Sequence, residues 1–411
     1  MLIFNTRLLA VMALYTVSTP MFGASADQSG SDNPVEVALK GSKPIFDLRL
    51  RYETVDQAGF SEPADALTYR LRAGLETGEA FNTKFLVEFE HVDSLIDDFN
   101  STINGKTAYP VVPDPSGTEL NRFQLTNTSL PGTKAIIGRE RIVLDDSRFV
   151  GNVGFRQNEQ TFDAVRLQNT SFGKLTLDAT YLNQVNRIFG DTSPAGRWHG
   201  DSYLLNATVP TSIGKLAAFA YMIDVNESGG INSSQTYGAR LSGDRTLSGG
   251  KLSYAASFAT QQEYGSSKIE YSAKYYAIDG SYAARNLNFG LGLEVLGGDS
   301  HRGFQTPLAT LHKFQGWADK FLTTPAAGVE DYYASGGLAI GDAGALTGIK
   351  LLAVYHDFSA QTGGSHYGDE IDLLVTAKWK ILNLSVKYAD YQADEFATDT
   401  RKIWLEGAYT F

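Results

Sequence analysis

The amino-acid sequence predicts an all-β protein, a transmembrane antiparallel up-and-down β-barrel of about 18 strands. Apolar and polar residues alternate along most of the chain, as expected for strands with one apolar and one polar face. The connections between these segments are short and long in turn, which is typical of outer-membrane barrels. The last alternating segment ends in an aromatic residue at the C-terminus, Phe411, as in bacterial outer-membrane proteins.

The composition agrees with this prediction and excludes several other classes of protein. Aromatic residues make up 12% of the 411 residues, which is too many for a disordered chain. The absence of cysteine excludes a disulfide scaffold and a thiolate metal site. The net charge of −11 argues against a general nucleic-acid-binding protein. The mean hydropathy of −0.19 is what a lipid-facing and a water-facing set of residues give on average.

Residues 1–26 are predicted to be a cleaved signal peptide. Arg7 precedes an apolar stretch at 8–17, and Ala24, Ser25 and Ala26 supply the small residues of a cleavage site. A membrane anchor is the alternative, but about ten apolar residues are too few to span a bilayer. Residues 27–43 are predicted to form a periplasmic N-terminal tail, and residues 44–411 the outer-membrane β-barrel.

The predicted strands follow from the alternation, taken in chain order. In the first strand Phe46, Leu48 and Leu50 share one face, and Arg49 and Arg51 share the other. The later strands repeat this arrangement. The predicted strands cover residues 44–56, 66–77, 83–95, 118–130, 133–141, 160–170, 174–187, 201–209, 215–226, 233–243, 250–262, 270–283, 286–298, 330–341, 347–359, 369–380, 383–392 and 401–411.

The order of the connections distinguishes a barrel from a soluble β-sandwich. Connections after even-numbered strands are short, whereas several after odd-numbered strands are long, as at 142–159 and 299–329. Outer-membrane barrels have short periplasmic turns and long extracellular loops in this order. A sandwich does not explain this order, nor the aromatic residues at strand ends, such as Tyr181, Tyr203 and Trp404.

Arginines cluster on the face that the alternation assigns to the lumen. Ladders of basic side chains are one way in which pores select anions. The alternative is that these arginines form ion pairs with carboxylates of neighbouring strands and stiffen the wall. Since the last strands of a closed barrel lie beside the first, Lys387 and Lys402 are expected on the same wall. The predicted solute path consists of Arg49, Arg51, Arg70, Arg72, Arg122, Arg139, Arg141 and Arg166.

Two long connections are candidates for additional functional residues. Asp145 and Asp146 are predicted either to bind a cation or to cap a turn and pair with arginine. In residues 299–329, apolar residues at 308, 311, 314, 317 and 321 predict a short amphipathic helix. This loop is expected to constrict the lumen, with an external cap as the alternative. The predicted constriction residues are Lys313, Trp317, Asp319 and Lys320.

Three segments resemble the alginate-export porins of Gram-negative outer membranes. They are Gly138-Arg139-Glu140-Arg141 followed by Asp145 and Asp146, His312-Lys313-Phe314 through Phe321, and Val354 to Phe358 followed by Asp369 to Leu373. The resemblance implies a monomeric barrel with an arginine-lined conduit for a polyuronate. By their position in the motif, Arg139 and Arg141 are implied to be lumen residues.

These observations lead to the expectation of a channel in the Gram-negative outer membrane. The expected solute is an anionic saccharide, similar to alginate, that crosses by passive diffusion or export. The alternatives are a general diffusion porin for small organic acids or oligosaccharides, and a structural or adhesin barrel. No hydrolase, zinc or phosphate-loop motif occurs in the sequence, so neither an enzyme nor a cofactor is predicted. The expected partners are outer-membrane lipid, lipopolysaccharide and the barrel-assembly machinery, which would recognise the strand ending at Phe411.

Overall fold

The structure, a computed structural model, describes residues 33–411, which form a closed antiparallel β-barrel. Each strand pairs with the next along the chain, and the first also pairs with the last, with Asp47 opposite Thr410. The strands are Lys43–Gln57 (β1), Ala64–Glu76 (β2), Thr83–Asp98 (β3), Gly117–Asn127 (β4), Thr133–Glu140 (β5), Thr161–Phe172 (β6), Leu175–Asn186 (β7), Arg197–Thr211 (β8), Gly214–Ile223 (β9), Ser234–Leu247 (β10), Gly250–Glu263 (β11), Ser272–Ala284 (β12), Leu287–Leu296 (β13), Val329–Ala343 (β14), Leu346–Ser359 (β15), His366–Trp379 (β16), Leu382–Ala393 (β17) and Thr400–Thr410 (β18).

The sequence prediction of an 18-stranded barrel is confirmed, with each predicted strand overlapping an observed one. A short helix, Pro34–Lys40 (α1), precedes the barrel and lies within the predicted tail. The predicted signal peptide, residues 1–26, lies outside the described residues. Within residues 33–411, no helix has the length and apolar character needed to cross a membrane.

The outer wall of the barrel is apolar and the inner wall is polar. On β1 the exposed fractions of Phe46, Leu48 and Leu50 are 38%, 41% and 45%, whereas Arg51, which faces inward, is only 2% exposed. Apolar side chains that have no protein cover are what a wall in contact with lipid requires. The architecture is therefore that of an integral protein of the bacterial outer membrane.

The aromatic residues at strand ends do not all lie on the outer wall. Tyr181 and Tyr203 do, with exposed fractions of 38% and 43%, and their ring centroids are 5.5 Å apart. Trp404 was expected in the same position, but it is 2% exposed and faces the lumen. Its indole ring packs edge-on against Phe155, with centroids 5.8 Å apart. The alternation explains this, because Ile403 and Leu405 share the opposite face of β18.

The two longest loops fold back into the lumen and pair with each other. Residues 141–160 connect β5 to β6, and residues 297–328 connect β13 to β14. The amide of Gly151 donates to the carbonyl of Leu308 at 2.8 Å, and the amide of Thr310 donates to that of Ser147 at 3.0 Å. A barrel of this size is too wide for its wall side chains to fill. The inserted loops therefore supply much of the buried core, including the fully buried Leu308.

The amphipathic helix predicted for the long loop is wrong. The structure has only a single 3-10 turn there, at Leu311–Lys313. Gln315, Gly316 and Asp319 have φ angles of 49°, 76° and 62°, which a right-handed helix does not tolerate. The apolar residues of this segment contact different walls of the lumen, so their spacing reflects separate contacts and not a helical face.

Candidate functional site

The arginines predicted to line the solute path are ion-paired in the structure. Each of the eight has a carboxylate oxygen within 4.0 Å, mostly on a neighbouring strand. Pairing of this kind compensates the positive charge of the wall. It favours a role of the arginines in stiffening the wall over a role as a series of free basic groups that attract anions. The strand-to-strand pairs are Arg49–Glu406, Arg51–Glu406, Arg70–Asp47, Arg72–Glu90, Arg122–Glu88, Arg139–Asp163, Arg166–Glu140 and Arg166–Asp178.

Arg49 and Arg51 additionally hold the loop that connects β5 to β6. Arg49 Nη1 donates to the carbonyls of Gly154 at 3.1 Å and Phe155 at 3.0 Å. Arg51 Nη2 donates to the carbonyl of Phe155 and to Glu406 at 2.6 Å. These two arginines therefore fix Phe155 in the lumen. Both arginines border one cavity, although Arg51 is only 2% exposed.

Arg139 and Arg141, which the resemblance assigned to the lumen, occupy the end of β5 and the start of the inserted loop. Arg141 Nε donates to Glu159 at 2.7 Å. Arg139 binds Asp163 through Nε at 2.6 Å and Nη2 at 2.9 Å. Arg139 is in register with Phe123, which is 49% exposed on the outer wall. The register is continuous and places Arg139 in the outer row with Ile137, which is 55% exposed, and not in the inward row with Ile136 and Glu140.

Two cavities remain in the lumen, and they meet at Phe155 and Lys387. One, of about 510 Å³, lies against β15 to β18 and β1 and is bordered by Arg49 and Trp404. The other, of about 560 Å³, lies against β10 to β15 and is bordered by Tyr333 and Asp279. The same aromatic ring and the same basic side chain therefore border both cavities.

Lys387 borders both cavities and has no ion pair, and Lys313, Lys350 and Lys378, which each border one cavity, also have none among the described residues. The Lys387 ammonium group has no carboxylate oxygen within 4.0 Å among residues 33–411. The group instead lies 3.8 Å from the centroid of Trp317 and 4.7 Å from that of Phe155. Aromatic faces attract a cation without neutralising it. The passage therefore has a basic group without an ion pair, and aromatic rings form its walls there.

A chain of hydrogen bonds connects Lys387 to the long loop. Lys387 Nζ donates to His312 Nε2 at 2.5 Å, and His312 Nδ1 contacts Asp319 at 2.7 Å. Burial, together with the nearby charge of Lys387, lowers the pKa of His312 to about 3. The imidazole is therefore neutral, donates to Asp319 and accepts from Lys387.

Asp319 is the charged end of this chain and holds the loop to the barrel wall. It also accepts from Lys402 Nζ at 3.0 Å, and Arg156 Nη2 lies 3.6 Å away. Burial tends to raise the pKa of Asp319, but the charges and hydrogen bonds of these neighbours outweigh it and hold the pKa well below its usual range. Asp319 is therefore ionised, and its carboxylate interacts with the barrel wall and with both inserted loops.

Two buried carboxylates on β16 hold the other side of the long loop. The amide of Ala318 donates to Glu370 at 2.7 Å, and the amide of Trp317 donates to Asp372 at 3.2 Å. These amides would be unsatisfied inside the lumen without such acceptors. The carboxylates therefore replace the helical hydrogen bonds that the sequence pattern suggested for this segment.

The structure places the four predicted constriction residues in different roles. Trp317 and Lys313 border the 560 Å³ cavity, and Lys313 Nζ donates to the carbonyl of Asp146 at 2.8 Å. Asp319 anchors the loop. Lys320 does not border either lumen cavity, and its ammonium lies 5.9 Å from the ring of Tyr391. The long loop thus enters the lumen as expected, but only two of the four residues face the passage.

Asp145 and Asp146 contact basic or amide groups, which corresponds to the second of the two alternatives. Asp145 accepts from Lys215 Nζ at 3.2 Å and from Asn206 at 2.8 Å. Asp146 lies 3.1 Å from Arg240 and accepts from the amide of Arg148 at 3.2 Å. The pair therefore caps a turn and connects the inserted loop to β8, β9 and β10.

Sequence reasoning missed Phe155 and Arg156 as functional residues. Phe155 stacks on His312 with ring centroids 3.5 Å apart, and Arg156 pairs with Glu53 at 2.9 Å. Both lie in a loop segment without any periodic pattern. The signal that was available is compositional, since an aromatic residue followed by arginine is unusual in a stretch otherwise rich in glycine, asparagine and glutamine.

No protein-family model matches the sequence, and no curated protein matches it either. Solved structures from Pseudomonas aeruginosa are similar to the chain. OpdK with vanillate has a TM-score of 0.69 at 14% sequence identity, covering 91% of this chain and 99% of that one. OccK5 (OpdH) has a TM-score of 0.67 at 15% identity, with the same coverage. OccK11 (OpdR) has a TM-score of 0.67 at 16% identity, covering 91% and 96%.

The chain shares its fold with these proteins, which include one described as an outer membrane protein. The fold is thus that of outer-membrane porins, as the sequence predicted. The proteins found are not alginate exporters by description, so the comparisons support the general class of porin and not the alginate-export family in particular.

Proposed function

We propose that the protein is a channel for the passive diffusion of small organic anions, in particular aromatic carboxylates. The single observation that carries this proposal is Lys387, an ammonium group without an ion pair at the junction of the two lumen cavities. An unpaired cation at the narrowest part of a pore attracts an anion and disfavours a cation. The co-crystallisation of the structurally similar OpdK with vanillate, an aromatic carboxylate, supports the same class of solute.

The aromatic side chains around Lys387 favour a planar solute. Phe155, Trp317 and Trp404 all lie within 5.5 Å of the ammonium group by ring centroid. A benzoate-like solute places its ring against these faces and its carboxylate against the ammonium. Aromatic rings prefer offset-stacked or edge-on contacts of this kind.

The dimensions of the lumen argue against a polysaccharide as the solute. The two cavities of about 510 and 560 Å³ each have room for one small molecule, and two inserted loops lie between the ends of the barrel. A polyuronate chain would require a continuous conduit along the whole barrel. The ion pairs and buried amides that hold the long loop make its displacement costly.

Planar-bilayer recordings with a gradient of potassium vanillate test the proposal. The wild-type channel is expected to show a reversal potential of the sign that anion permeation gives. Lys387→Met removes the charge but keeps an unbranched apolar stem, and should shift the reversal potential towards cation permeation. The matched control is Lys380→Met, which removes an exposed lysine in the turn between β16 and β17.

Three results would contradict the proposal. A cation-selective wild-type channel would show that Lys387 does not govern permeation. Passage of alginate oligomers at a rate similar to that of vanillate would show that the inserted loops do not limit solute size. An equal effect of Lys387→Met and Lys380→Met would assign the shift to overall charge and not to the passage.

A further inference from the structure

A third cavity lies at the end of the barrel where the long loops emerge. It has a volume of about 440 Å³, and its walls come from three loops that follow the odd-numbered strands β7, β9 and β13. In an antiparallel barrel these loops share one end, which the order of short and long connections identifies as the extracellular end. The cavity is therefore an outer vestibule, and it is separate from the two lumen cavities.

Arg187 borders this vestibule and lacks an acidic partner. Its guanidinium has no carboxylate oxygen within 4.0 Å among the described residues, unlike the arginines of the barrel wall. Nη1 donates to the carbonyl of Ala195 at 3.0 Å, which is its one hydrogen bond from the side chain to the described part of the protein. Burial lowers the pKa of Arg187 to about 10, which still leaves the group positively charged at neutral pH.

Aromatic stacking holds the guanidinium in place. Its central carbon lies 3.8 Å from the centroid of Trp198 and 4.7 Å from that of Phe189. Stacking fixes the plane of the group and leaves nitrogen atoms at its edge available for a bidentate carboxylate. Recognition of a carboxylate requires a charged guanidinium group that is held in position and has no ion pair.

The rest of the vestibule has both polar and apolar lining, and its polar residues include Asn232, Gln305, Thr306 and Thr323. Trp198, Pro194, Pro307, Leu311 and Leu322 supply apolar surface around the cavity. One acidic residue, Glu227, also borders it, but its carboxylate accepts from His199 Nδ1 at 2.7 Å and from the His199 amide at 2.8 Å. Glu227 is thereby held by His199 and forms no ion pair with Arg187.

We infer that the vestibule around Arg187 is an outer binding site that captures aromatic carboxylates before they reach Lys387. This inference rests on the proposed function and adds a second site to it. The two sites lie on opposite sides of the 3-10 turn, since Leu311 borders the vestibule whereas Thr310 and His312 border the inner cavity. A solute released from Arg187 is thus separated from the Lys387 passage by one layer of loop.

The test compares vanillate association from the two sides of a planar bilayer. Vanillate is added to one side at a time, and the rate of current blockades is measured. Arg187→Gln should lower the association rate from the long-loop side about tenfold, and leave the rate from the short-turn side unchanged. Arg187→Lys, which keeps the charge and loses the planar fork, should show an intermediate rate.

Arg302→Gln is the matched control. Arg302 also lacks an ion pair among the described residues and lies over an aromatic ring, 5.7 Å from the centroid of Tyr271, but it does not border the vestibule. Correct folding of each variant is checked by the heat-dependent gel shift of the barrel. If Arg187→Gln does not fold, the comparison of Arg187→Lys with the wild type carries the test.

Three outcomes would overturn the outer site. They are a wild-type rate from the long-loop side in Arg187→Gln, an equal loss in Arg302→Gln, and a lack of any vanillate association from that side in the wild type. The proposed function fails by a different result, which is cation selectivity of the wild type or an unchanged reversal potential in Lys387→Met. The two failures are therefore distinguishable.

Discussion

Replacement of Asp319 by asparagine should loosen the long loop and change the conductance of the channel. The carboxylate is buried and interacts with His312, Lys402 and Arg156 at 2.7, 3.0 and 3.6 Å. Asparagine keeps the shape and one acceptor but removes the charge. Arg156 retains Glu53 at 2.9 Å, whereas Lys402 has no second carboxylate within 4.0 Å among residues 33–411.

The cost of this substitution is that of leaving one buried ammonium unpaired. Removing one partner of a buried ion pair typically costs about 3–5 kcal/mol, and we take about 3 kcal/mol because an amide acceptor remains. This corresponds to a change of about 100-fold in the ratio of closed to displaced loop. Glu370 and Asp372 still hold the adjacent amides, so the loop is expected to fluctuate and not to leave the lumen.

Single-channel recording measures this effect directly. Asp319→Asn should add frequent transitions to a higher conductance level and lower the temperature at which the barrel unfolds. Asp394→Asn is the control, because Asp394 is an exposed loop carboxylate that pairs only with His366, at 3.2 Å. A trace identical to the wild type, with an unchanged unfolding temperature, would refute the anchoring role of Asp319.

Two further predictions concern the same loop. Gly316→Ala should raise the conductance, because φ is 76° at this position and an added Cβ atom would collide with the Glu370 carboxylate. Gly336→Ala is the control, because a Cβ atom there would meet no other atom within 4 Å. Equal single-channel traces for the two variants would contradict the prediction. Burial, aided by Lys402, lowers the pKa of Lys320 to about 8, so the unfolded chain binds more protons between pH 8 and the ordinary lysine pKa of 10.5. The unfolding temperature of the wild type should therefore rise by an additional amount as the pH increases through this window. The Lys320→Met variant should lack this additional rise. Parallel plots of unfolding temperature against pH for the wild type and the variant would contradict the prediction.

The barrel was predictable from the sequence because its determinants are local. Alternation assigns each residue of a strand to a face, and Phe46 and Arg51 lie on the faces that the pattern indicates. The closure of β1 on β18 then follows from the number of strands. Arg139 was predicted to line the lumen, but the unbroken alternation of β5 places it in the outer row with Ile137.

The passage itself was not predictable, because it depends on contacts between distant segments. Gly151 pairs with Leu308, and Arg156 pairs with Glu53. No periodic pattern connects these residues along the chain. The sequence indicated that the long loop is functional, but the acceptors Glu370 and Asp372, which determine its backbone path, lie on a strand that reads simply as alternating.

One lysine, and not the arginines of the inner wall, provides the basic group that borders both cavities without an ion pair. The arginines are numerous but paired, so counting basic residues on the inner wall overstates the positive charge that a solute meets. Lys387 is a single residue, yet its ammonium group is unpaired and borders both lumen cavities. The proposed selectivity therefore depends on Lys387, which borders both cavities without an ion pair.

The reversal potential of the wild-type channel in a potassium vanillate gradient tests this claim most directly. The account predicts the sign that vanillate permeation gives, and a shift towards the opposite sign in Lys387→Met. A wild-type reversal potential at the value for potassium permeation would contradict it.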